Sequence, residues 1–301
     1  MSDITSQHAR LPDESRRLDG IPAAVLALLC LTPPSSGQQV ETSETGSRFW
    51  GDSLRENLRP FRKNYLLPVS YDSGLSELDS SVVDGENRDA EVKFQISLRY
   101  SLTSSHRRVP GQLSFAYTAL SHWQLYDMEN SSPFRTTDHE PELFWEWYMT
   151  RPFGLRSGIS HQSNGEGGDE SRSWNRVYVE ALWNGVDRWN QRKPNEWGLG
   201  LKVWHAFDVS GNNEDITDYL GHFELRYDWV MPFDDRHAQL LSLLLRRDLG
   251  DEWRGAAEVG YSRDFIGKSR LYVQYFAGYG ESLLDYDDYA HRVGIGFEFS
   301  P

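Results

Sequence analysis

The chain has 301 residues and a formal net charge of −14 at neutral pH, which argues against nucleic-acid binding, because that function needs a basic surface. Charged residues make up 25% of the chain and the mean hydropathy is −0.63, which excludes a bundle of apolar membrane helices. Aromatic residues reach 13%, a content that suits the aromatic girdles of a membrane-embedded β-barrel.

The first residues resemble a targeting segment. A polar stretch is followed by the apolar run IPAAVLALLCL (21–31), after which Ser35 and Gly37 offer small residues at the −3 and −1 positions of a cleavage site. This order is typical of a secretory signal peptide, which we predict over residues 1–37. A disordered tail with a chance apolar run is the alternative. Residues 38–58 are polar and are expected to be flexible or to fold back into a barrel lumen.

From residue 59 onward, apolar and polar residues alternate almost without interruption. Val92 and Phe94, for example, fall on one face of a segment and Lys93 and Gln95 on the other, which is the period of a β-strand. Twelve such segments are predicted, near residues 59–71, 90–103, 111–127, 140–152, 154–164, 171–185, 195–208, 220–231, 236–248, 252–264, 268–280 and 289–300.

These segments predict an all-β fold, a 12-stranded antiparallel transmembrane β-barrel over residues 59–301. Their even number, their length and their terminal aromatic residues favour a closed barrel, because lipid leaves no strand edge unpaired. A soluble β-sandwich would show the same alternation with its apolar face turned inward, and the period alone does not separate the two folds. The signal-like N-terminus favours the barrel.

The stretch 155–183 is predicted to be a hairpin with a glycine-rich turn. If the hairpin is symmetric about Gly168, His161 lies directly across from Asn175, with their Cβ atoms about 4.5–5.5 Å apart. Ser163 follows two residues later on the same face as His161. Serine, histidine and asparagine match the roles of a nucleophile, a general base and a residue that orients the base.

The alternative is that these three polar residues cap the turn or face water. They lie on an otherwise apolar face, however, which in a barrel faces lipid. Unsatisfied polar groups in hydrocarbon cost several kcal/mol. A substrate that is itself a lipid accounts for polar residues in such a position.

The run HQSNGEGGDESRSWNR (161–176) closely resembles the active-site segment of the outer membrane phospholipase A family. The family pattern is His-x-Ser-Asn-Gly followed by Ser-Arg-Ser-Trp-Asn-Arg, with twelve residues from the serine to the asparagine, as from Ser163 to Asn175 here. The agreement runs in colinear order from about Arg59 to Phe299. It includes DAEVKFQISLRYSL (89–102), SSPFRTTDHEP (131–141), NNEDIT (212–217) and GYGESLLDYDDYAHRVGIGF (278–297).

The resemblance implies a lipid-degrading enzyme, a phospholipase A1/A2 in the outer membrane of a Gram-negative bacterium. Its substrates would be the sn-1 and sn-2 acyl esters of phospholipids and of lysophospholipids. The catalytic residues implied are His161, Ser163 and Asn175, and the backbone N–H of Gly165, just past the nucleophile, is expected to bind the oxyanion. A catalytically silent barrel, either a channel or a structural protein, is the alternative.

The resemblance also implies Ca²⁺ as cofactor and a homodimer as the active form. The calcium ligands implied are the Ser171 side chain, the backbone carbonyl of Glu166 and the carbonyl of Ser131 from a second protomer. All three are oxygen ligands, which calcium prefers. Ordinary loop chemistry is the alternative for Ser131.

The chain departs from the family pattern at two places. Glu166 stands where family members commonly have arginine, and Asp169 and Glu170 add negative charge. A backbone ligand at Glu166 survives this change, and the acids could raise calcium affinity or add direct ligands. Ala119 stands where the family has a glutamine that bonds across the dimer, which weakens the expectation of a tight dimer.

Overall fold

A computed structural model describes residues 57–72, 90–103, 111–148, 152–184, 195–231, 238–248 and 254–299. The predicted signal peptide (1–37) lies outside this part of the chain, as does nearly all of the predicted segment 38–58. All of the described residues belong to one compact unit, Phe49–Pro301. Within them, no helix is long and apolar enough to cross a lipid bilayer.

The described residues form thirteen β-strands in one sheet. The strands are β1 (Leu58–Pro60), β2 (Asn64–Asp72), β3 (Ala90–Ser101), β4 (Gln112–Trp123), β5 (Phe134–Tyr148), β6 (Phe153–Ser163), β7 (Ser173–Trp183), β8 (Trp197–Phe207), β9 (Phe223–Met231), β10 (Gln239–Arg247), β11 (Gly255–Asp264), β12 (Ser269–Tyr279) and β13 (Tyr289–Phe299). A 3-10 turn (Gly168–Glu170) joins β6 to β7, and a short helix, α1 (Ile216–Leu220), lies between β8 and β9.

Strands β2 to β13 close into a barrel. Each pairs antiparallel with the next along the chain, and β13 returns to pair with β2. The closed 12-stranded antiparallel barrel predicted from the alternation is therefore confirmed. Closure satisfies the backbone hydrogen bonds of every strand, which lipid requires.

The predicted first strand (59–71) is interrupted. Strand β1 pairs with the far part of β3, and β2 begins after a break at residues 61–63. Phe61 turns into the barrel, where its ring stacks on Phe144 at 5.3 Å between centroids. Arg62 follows it inward and binds Glu142 at 2.7 Å. Burial of the ring and pairing of the guanidinium compensate for the interrupted strand.

The connection between β4 and β5 is shorter than predicted and lies earlier in the chain, at residues 124–133. The predicted segments 111–127 and 140–152 left it at residues 128–139, whereas β4 ends at Trp123 and β5 already begins at Phe134. The hydrogen bond from the Gln124 N–H to the Pro133 carbonyl, at 2.9 Å, closes the loop. Ser131 within it has a φ of 63°, so the backbone leaves the extended conformation there.

The faces of the strands are the reverse of those in a soluble sheet. On β7, Trp174, Arg176 and Glu180 point inward and are buried, whereas Val177 and Val179 point outward and are 44% and 43% exposed. An apolar exterior around a polar interior is the pattern of a membrane barrel. It excludes the β-sandwich, whose apolar residues would be inside.

Ion pairs fill much of the barrel interior. Arg156 contacts both Glu146 and Glu180 at 2.7 Å, and Lys93 contacts Glu281 at 2.8 Å. Buried charges are tolerated when they are paired in this way. The lumen is therefore a packed polar core.

The outward-facing aromatic residues cluster at the two ends of the barrel. Phe153 packs on Trp183 at one end, with 4.2 Å between ring centroids, and Trp123 stacks on Phe134 at the other, at 5.2 Å. Strand β6 starts at Phe153 and ends at Ser163. Ten residue steps of a tilted strand span about 25 Å along the membrane normal. Ser163 therefore lies near the opposite membrane interface from Phe153.

Candidate active site

Strands β6 and β7 position His161 against Asn175. The two residues are directly opposite in the β6–β7 ladder, the register predicted from symmetry about Gly168. The His161 Nδ1 and Asn175 Oδ1 atoms are 2.9 Å apart. An asparagine carbonyl can only accept a hydrogen bond, so the shared proton is on Nδ1 and the lone pair of the ring is on Nε2.

Ser163 lies on the same outward face as His161. Its cross-strand neighbours are His139 on β5 and Ser173 on β7. Among the described residues, its hydroxyl makes no hydrogen bond to His161; catalytic hydrogen bonds often form only with substrate present. We refer to His161, Ser163, Asn175 and their neighbour Asp208 as the outer polar patch.

The turn that follows Ser163 is held by a buried asparagine. Asn164 Oδ1 accepts hydrogen bonds from the N–H groups of Glu166 (3.3 Å) and Arg172 (3.0 Å), and Asn164 Nδ2 donates to the Glu170 carbonyl at 2.8 Å. Gly165 has a φ of 74°, in the region that favours glycine. Its N–H donates to no acceptor in the described part of the chain, so it is available to a ligand beside Ser163.

The three residues predicted to bind calcium lie in exposed or half-exposed loops. Glu166 and Ser171 are in the turn held by Asn164, and Ser131 is in the β4–β5 loop at the same end of the barrel. The carbonyls of Glu166 and Ser131 and the hydroxyl of Ser171 accept no hydrogen bond from any described residue. Oxygen donors of this kind fit calcium, but three are fewer than the six to eight that the ion prefers.

The described residues contain no group of three or more acidic, histidine or cysteine side chains arranged around a metal. The carboxyl groups of Glu166 and Asp169 are exposed. Their contribution at this turn is therefore a negative field that attracts a cation. A calcium ion at this turn would need further ligands beyond these three oxygens.

Asp208, at the end of β8, completes the surroundings of Asn175. The Asn175 Nδ2 donates to the Asp208 carboxylate at 3.0 Å and to the Asp208 carbonyl at 3.2 Å. Sequence reasoning missed this residue. The β7–β8 register, which places Phe207 opposite Asn175, cannot be fixed from the sequence, because the long connection between these strands leaves it open.

A second histidine was also missed. His139 lies across from Ser163, and its Nδ1 is 2.6 Å from the hydroxyl of Tyr117 on β4. A Cβ placed on Gly165 would be 3.8 Å from the His139 Nε2, so this ring flanks the turn as well as the serine. Ala119, where the chain departs from the family pattern, lies beside His139, because the two residues pair across β4 and β5.

The fold and the outer polar patch together define a class of protein. A closed barrel with an apolar exterior is a multi-pass protein of the Gram-negative outer membrane, and its outer surface carries the residue types of a serine esterase. The sequence profile of the Phospholipase A1 family matches residues 51–299. The chain belongs to this family and is an outer-membrane phospholipase.

Individual relatives agree with this assignment. Phospholipase A1 of Proteus vulgaris is 35% identical over 251 residues, which cover 79% of this chain and 80% of that protein. Phospholipase A1 of Escherichia coli is 34% identical over 249 residues, which cover 79% of this chain and 80% of that protein.

Solved structures show the same barrel. The calcium-bound dimer of the outer membrane phospholipase of Salmonella typhi matches with a TM-score of 0.70 and 32% identity, over 81% of this chain and 92% of that one. Outer membrane phospholipase A from Escherichia coli matches with a TM-score of 0.68 and 34% identity, over 81% of this chain and 98% of that one.

Proposed function

We propose that this phospholipase hydrolyses the sn-1 and sn-2 acyl esters of phospholipids, and those of lysophospholipids, through Ser163, His161 and Asn175. One observation carries the proposal. The His161 Nδ1 and Asn175 Oδ1 lie 2.9 Å apart on a lipid-facing surface, two residues from a serine.

His161 acts as the base. Because Asn175 accepts the proton on Nδ1, the Nε2 lone pair takes the proton of the Ser163 hydroxyl as its oxygen attacks the ester carbonyl. The tetrahedral intermediate then collapses, and His161 returns the proton to the leaving lysophospholipid alkoxide. Water, deprotonated by the same nitrogen, hydrolyses the acyl-serine and releases the fatty acid.

The Gly165 N–H stabilises the oxyanion. It follows the nucleophile by two residues, and its proton is free of any acceptor in the described residues. A donor held in place before the reaction is worth about 10²–10³ in kcat in other acyl-transfer enzymes. The Asn164 hydrogen bonds, which fix the turn, keep this donor in position.

Ca²⁺ is the cofactor we propose for the turn. The Glu166 carbonyl and the Ser171 hydroxyl would hold it, with the Ser131 carbonyl of a second protomer as a further ligand. A calcium ion held by these oxygens would supply positive charge beside the substrate carbonyl. The need for a ligand from a second copy makes the active species a homodimer, which limits hydrolysis of the enzyme's own membrane.

The lumen gives little support to the alternative of a silent channel. Ion pairs cross it, such as those of Arg156 with Glu146 and Glu180. One cavity of about 140 Å³ lies among Arg62, Lys63 and Glu258, enough for several water molecules. Porins need a wide, wet lumen and usually have more strands than this barrel.

Phospholipid hydrolysis in detergent micelles tests the proposal. Wild type, Ser163→Ala and Ser157→Ala are compared with calcium or with a chelator; Ser157 is the control because it lies on the same outward face of β6. We expect calcium-dependent fatty-acid release by wild type and Ser157→Ala, and a loss of at least about 10⁴-fold in Ser163→Ala. If none of the three proteins releases fatty acid, with calcium or with chelator, and the wild type conducts ions in planar bilayers, the proposal is contradicted and a channel is supported.

A further inference from the structure

We infer that Asp208 is a positioning residue that fixes the orientation of the Asn175 amide and, through it, the tautomer of His161. The inference rests on the proposed function, which it deepens by adding a fourth member to the Ser163–His161–Asn175 set. Asp208 does not touch the reacting atoms. It acts only through the amide beside it.

The first step of the argument is the direction of the hydrogen bonds. Asp208 presents two acceptors to Asn175, its carboxylate oxygen at 3.0 Å and its backbone carbonyl at 3.2 Å. Neither atom can donate. The end of the amide that faces Asp208 must therefore be the NH₂ group, which leaves the Asn175 carbonyl for His161.

The second step carries this direction to the base. The Asn175 carbonyl, 2.9 Å from His161 Nδ1, accepts the proton on that nitrogen and leaves Nε2 unprotonated. With the amide reversed, its NH₂ group would donate to Nδ1, and the ring proton would move to Nε2. His161 would then have no lone pair toward Ser163.

The backbone places Asp208 for this contact. Its φ is 50°, a left-handed conformation that few residues other than glycine adopt, although aspartate tolerates it better than most. This turn brings both the side chain and the carbonyl of one residue onto a single amide. Two hydrogen bonds from the following loop to Ser173, the Ser210 N–H at 2.9 Å and the Asn213 Nδ2 at 3.1 Å, keep the loop against β7.

The third step concerns charge. A neutral asparagine stabilises an imidazolium less well than the aspartate of other triads. A carboxylate that accepts from the NH₂ group polarises the amide and makes its carbonyl a stronger acceptor. Asp208 thus supplies negative charge to His161 indirectly, with the amide between them.

The test uses the full-length protein in micelles with calcium. Asp208→Gly removes the carboxylate but keeps the backbone carbonyl and suits the positive φ, so the barrel should unfold no more easily than wild type. We expect kcat to fall about tenfold, the effect of losing a hydrogen bond to a charged group, with KM unchanged. Asp218→Asn, which removes a charge from the exposed face of α1 in the same connection, is the matched control and should keep wild-type activity.

An exchange of the two groups separates positioning from loop stability. Asn175→Asp places two carboxylates face to face and should abolish most activity. Adding Asp208→Asn lets the new amide at position 208 donate to the new carboxylate at 175, and we expect recovery of about tenfold over Asn175→Asp. If Asp208 only stabilised the loop, adding Asp208→Asn would lower activity further.

The ¹⁵N chemical shifts of His161 give a readout that needs no activity. We expect the Nδ1-protonated tautomer in wild type and a mixture of both tautomers in Asp208→Gly. Unchanged shifts, an unchanged kcat in Asp208→Gly, or a double variant no better than Asn175→Asp would overturn the role of Asp208. An inert wild type that shows the expected shifts overturns the proposed function instead, and leaves the orienting role standing.

Discussion

The barrel lumen and the outer polar patch both hold polar groups away from bulk water, but they satisfy them differently. In the lumen, many charged groups are paired with one another, as Arg292 is with Glu91 at 2.8 Å and with Asp72 at 3.0 Å. In the patch, the Ser163 hydroxyl has no partner among the described residues, and neither does the Gly165 N–H in the turn beside it. Paired polar groups specify the structure, whereas groups left available serve a ligand.

Substitutions of two histidines, one in the patch and one in the lumen, give the strongest test of this difference. His161→Ala should lower phospholipid hydrolysis by at least about 10⁴-fold while the free energy of unfolding changes by less than about 0.5 kcal/mol, the usual range for surface positions. His122→Ala should do the reverse, because its buried Nδ1 lies 2.7 Å from Glu91 and its loss costs about 1–3 kcal/mol. Hydrolysis rates and urea unfolding in detergent measure both variants. Similar effects on stability would contradict the distinction.

Glu281, at the base of the β12–β13 connection, tests the lumen network. Burial by itself would raise the pKa of Glu281, but Arg292 and Lys93 lie beside it and lower the pKa to about 2. Glu281→Gln should therefore destabilise the barrel by about 3–5 kcal/mol at pH 7, since it leaves Lys93 and Arg292 without this carboxylate.

The pH dependence of this loss has a defined sign. A carboxyl group whose pKa is lowered in the folded state stabilises the fold above its ordinary pKa of 4.5, and this contribution is lost as the pH falls toward 2. The difference between wild type and Glu281→Gln should be constant from pH 7 to about pH 5 and should shrink below that. Unfolding curves at pH 7, 5 and 3 measure it; a difference that grows at pH 3 would rule out the ion pair as its source.

Ser171 tests the proposed calcium site with a smaller effect. Ser171→Ala removes one of the few oxygen ligands that the turn offers, so half-maximal activity should need about tenfold more calcium, while kcat at saturating calcium changes little. Calorimetric titration with calcium provides a readout independent of hydrolysis. Ser210→Ala, in the neighbouring β8–β9 connection, is the control. Identical calcium curves for the Ser171 variant and wild type would remove Ser171 from the site.

Tyr117 gives the smallest expected change. Its hydroxyl lies 2.6 Å from the Nδ1 of His139, so Tyr117→Phe should free that ring beside Ser163 and lower kcat by about threefold, the worth of one neutral hydrogen bond. Tyr275→Phe is a matched control, because Tyr275 makes a similar contact of 3.2 Å with His291 elsewhere on the lipid-facing surface. An equal effect of both changes would mean that His139 has no special place beside the serine.

Much of this architecture could be predicted from the sequence. Period-2 alternation places each residue on one of two faces, and the symmetric hairpin around Gly168 fixes the pairing of His161 with Asn175. The sequence did not predict the register between strands that are joined by long connections. Asp208 and His139 reach the patch from neighbouring strands, and no local spacing relates them to Ser163. The break at residues 61–63 depends on the burial of Phe61 against Phe144, which is a tertiary contact.

If the outer polar patch is the active site, its position on the outside of the barrel determines how substrate arrives. Molecules that reach His161 and Ser163 travel sideways within the bilayer and leave the same way, without passing through a tunnel. Encounter is therefore two-dimensional, and turnover depends on the mole fraction of cleavable lipid among the molecules that surround the barrel. Diluting the lipids that surround the barrel with an uncleavable amphiphile should slow the enzyme even when the total amount of substrate is held constant.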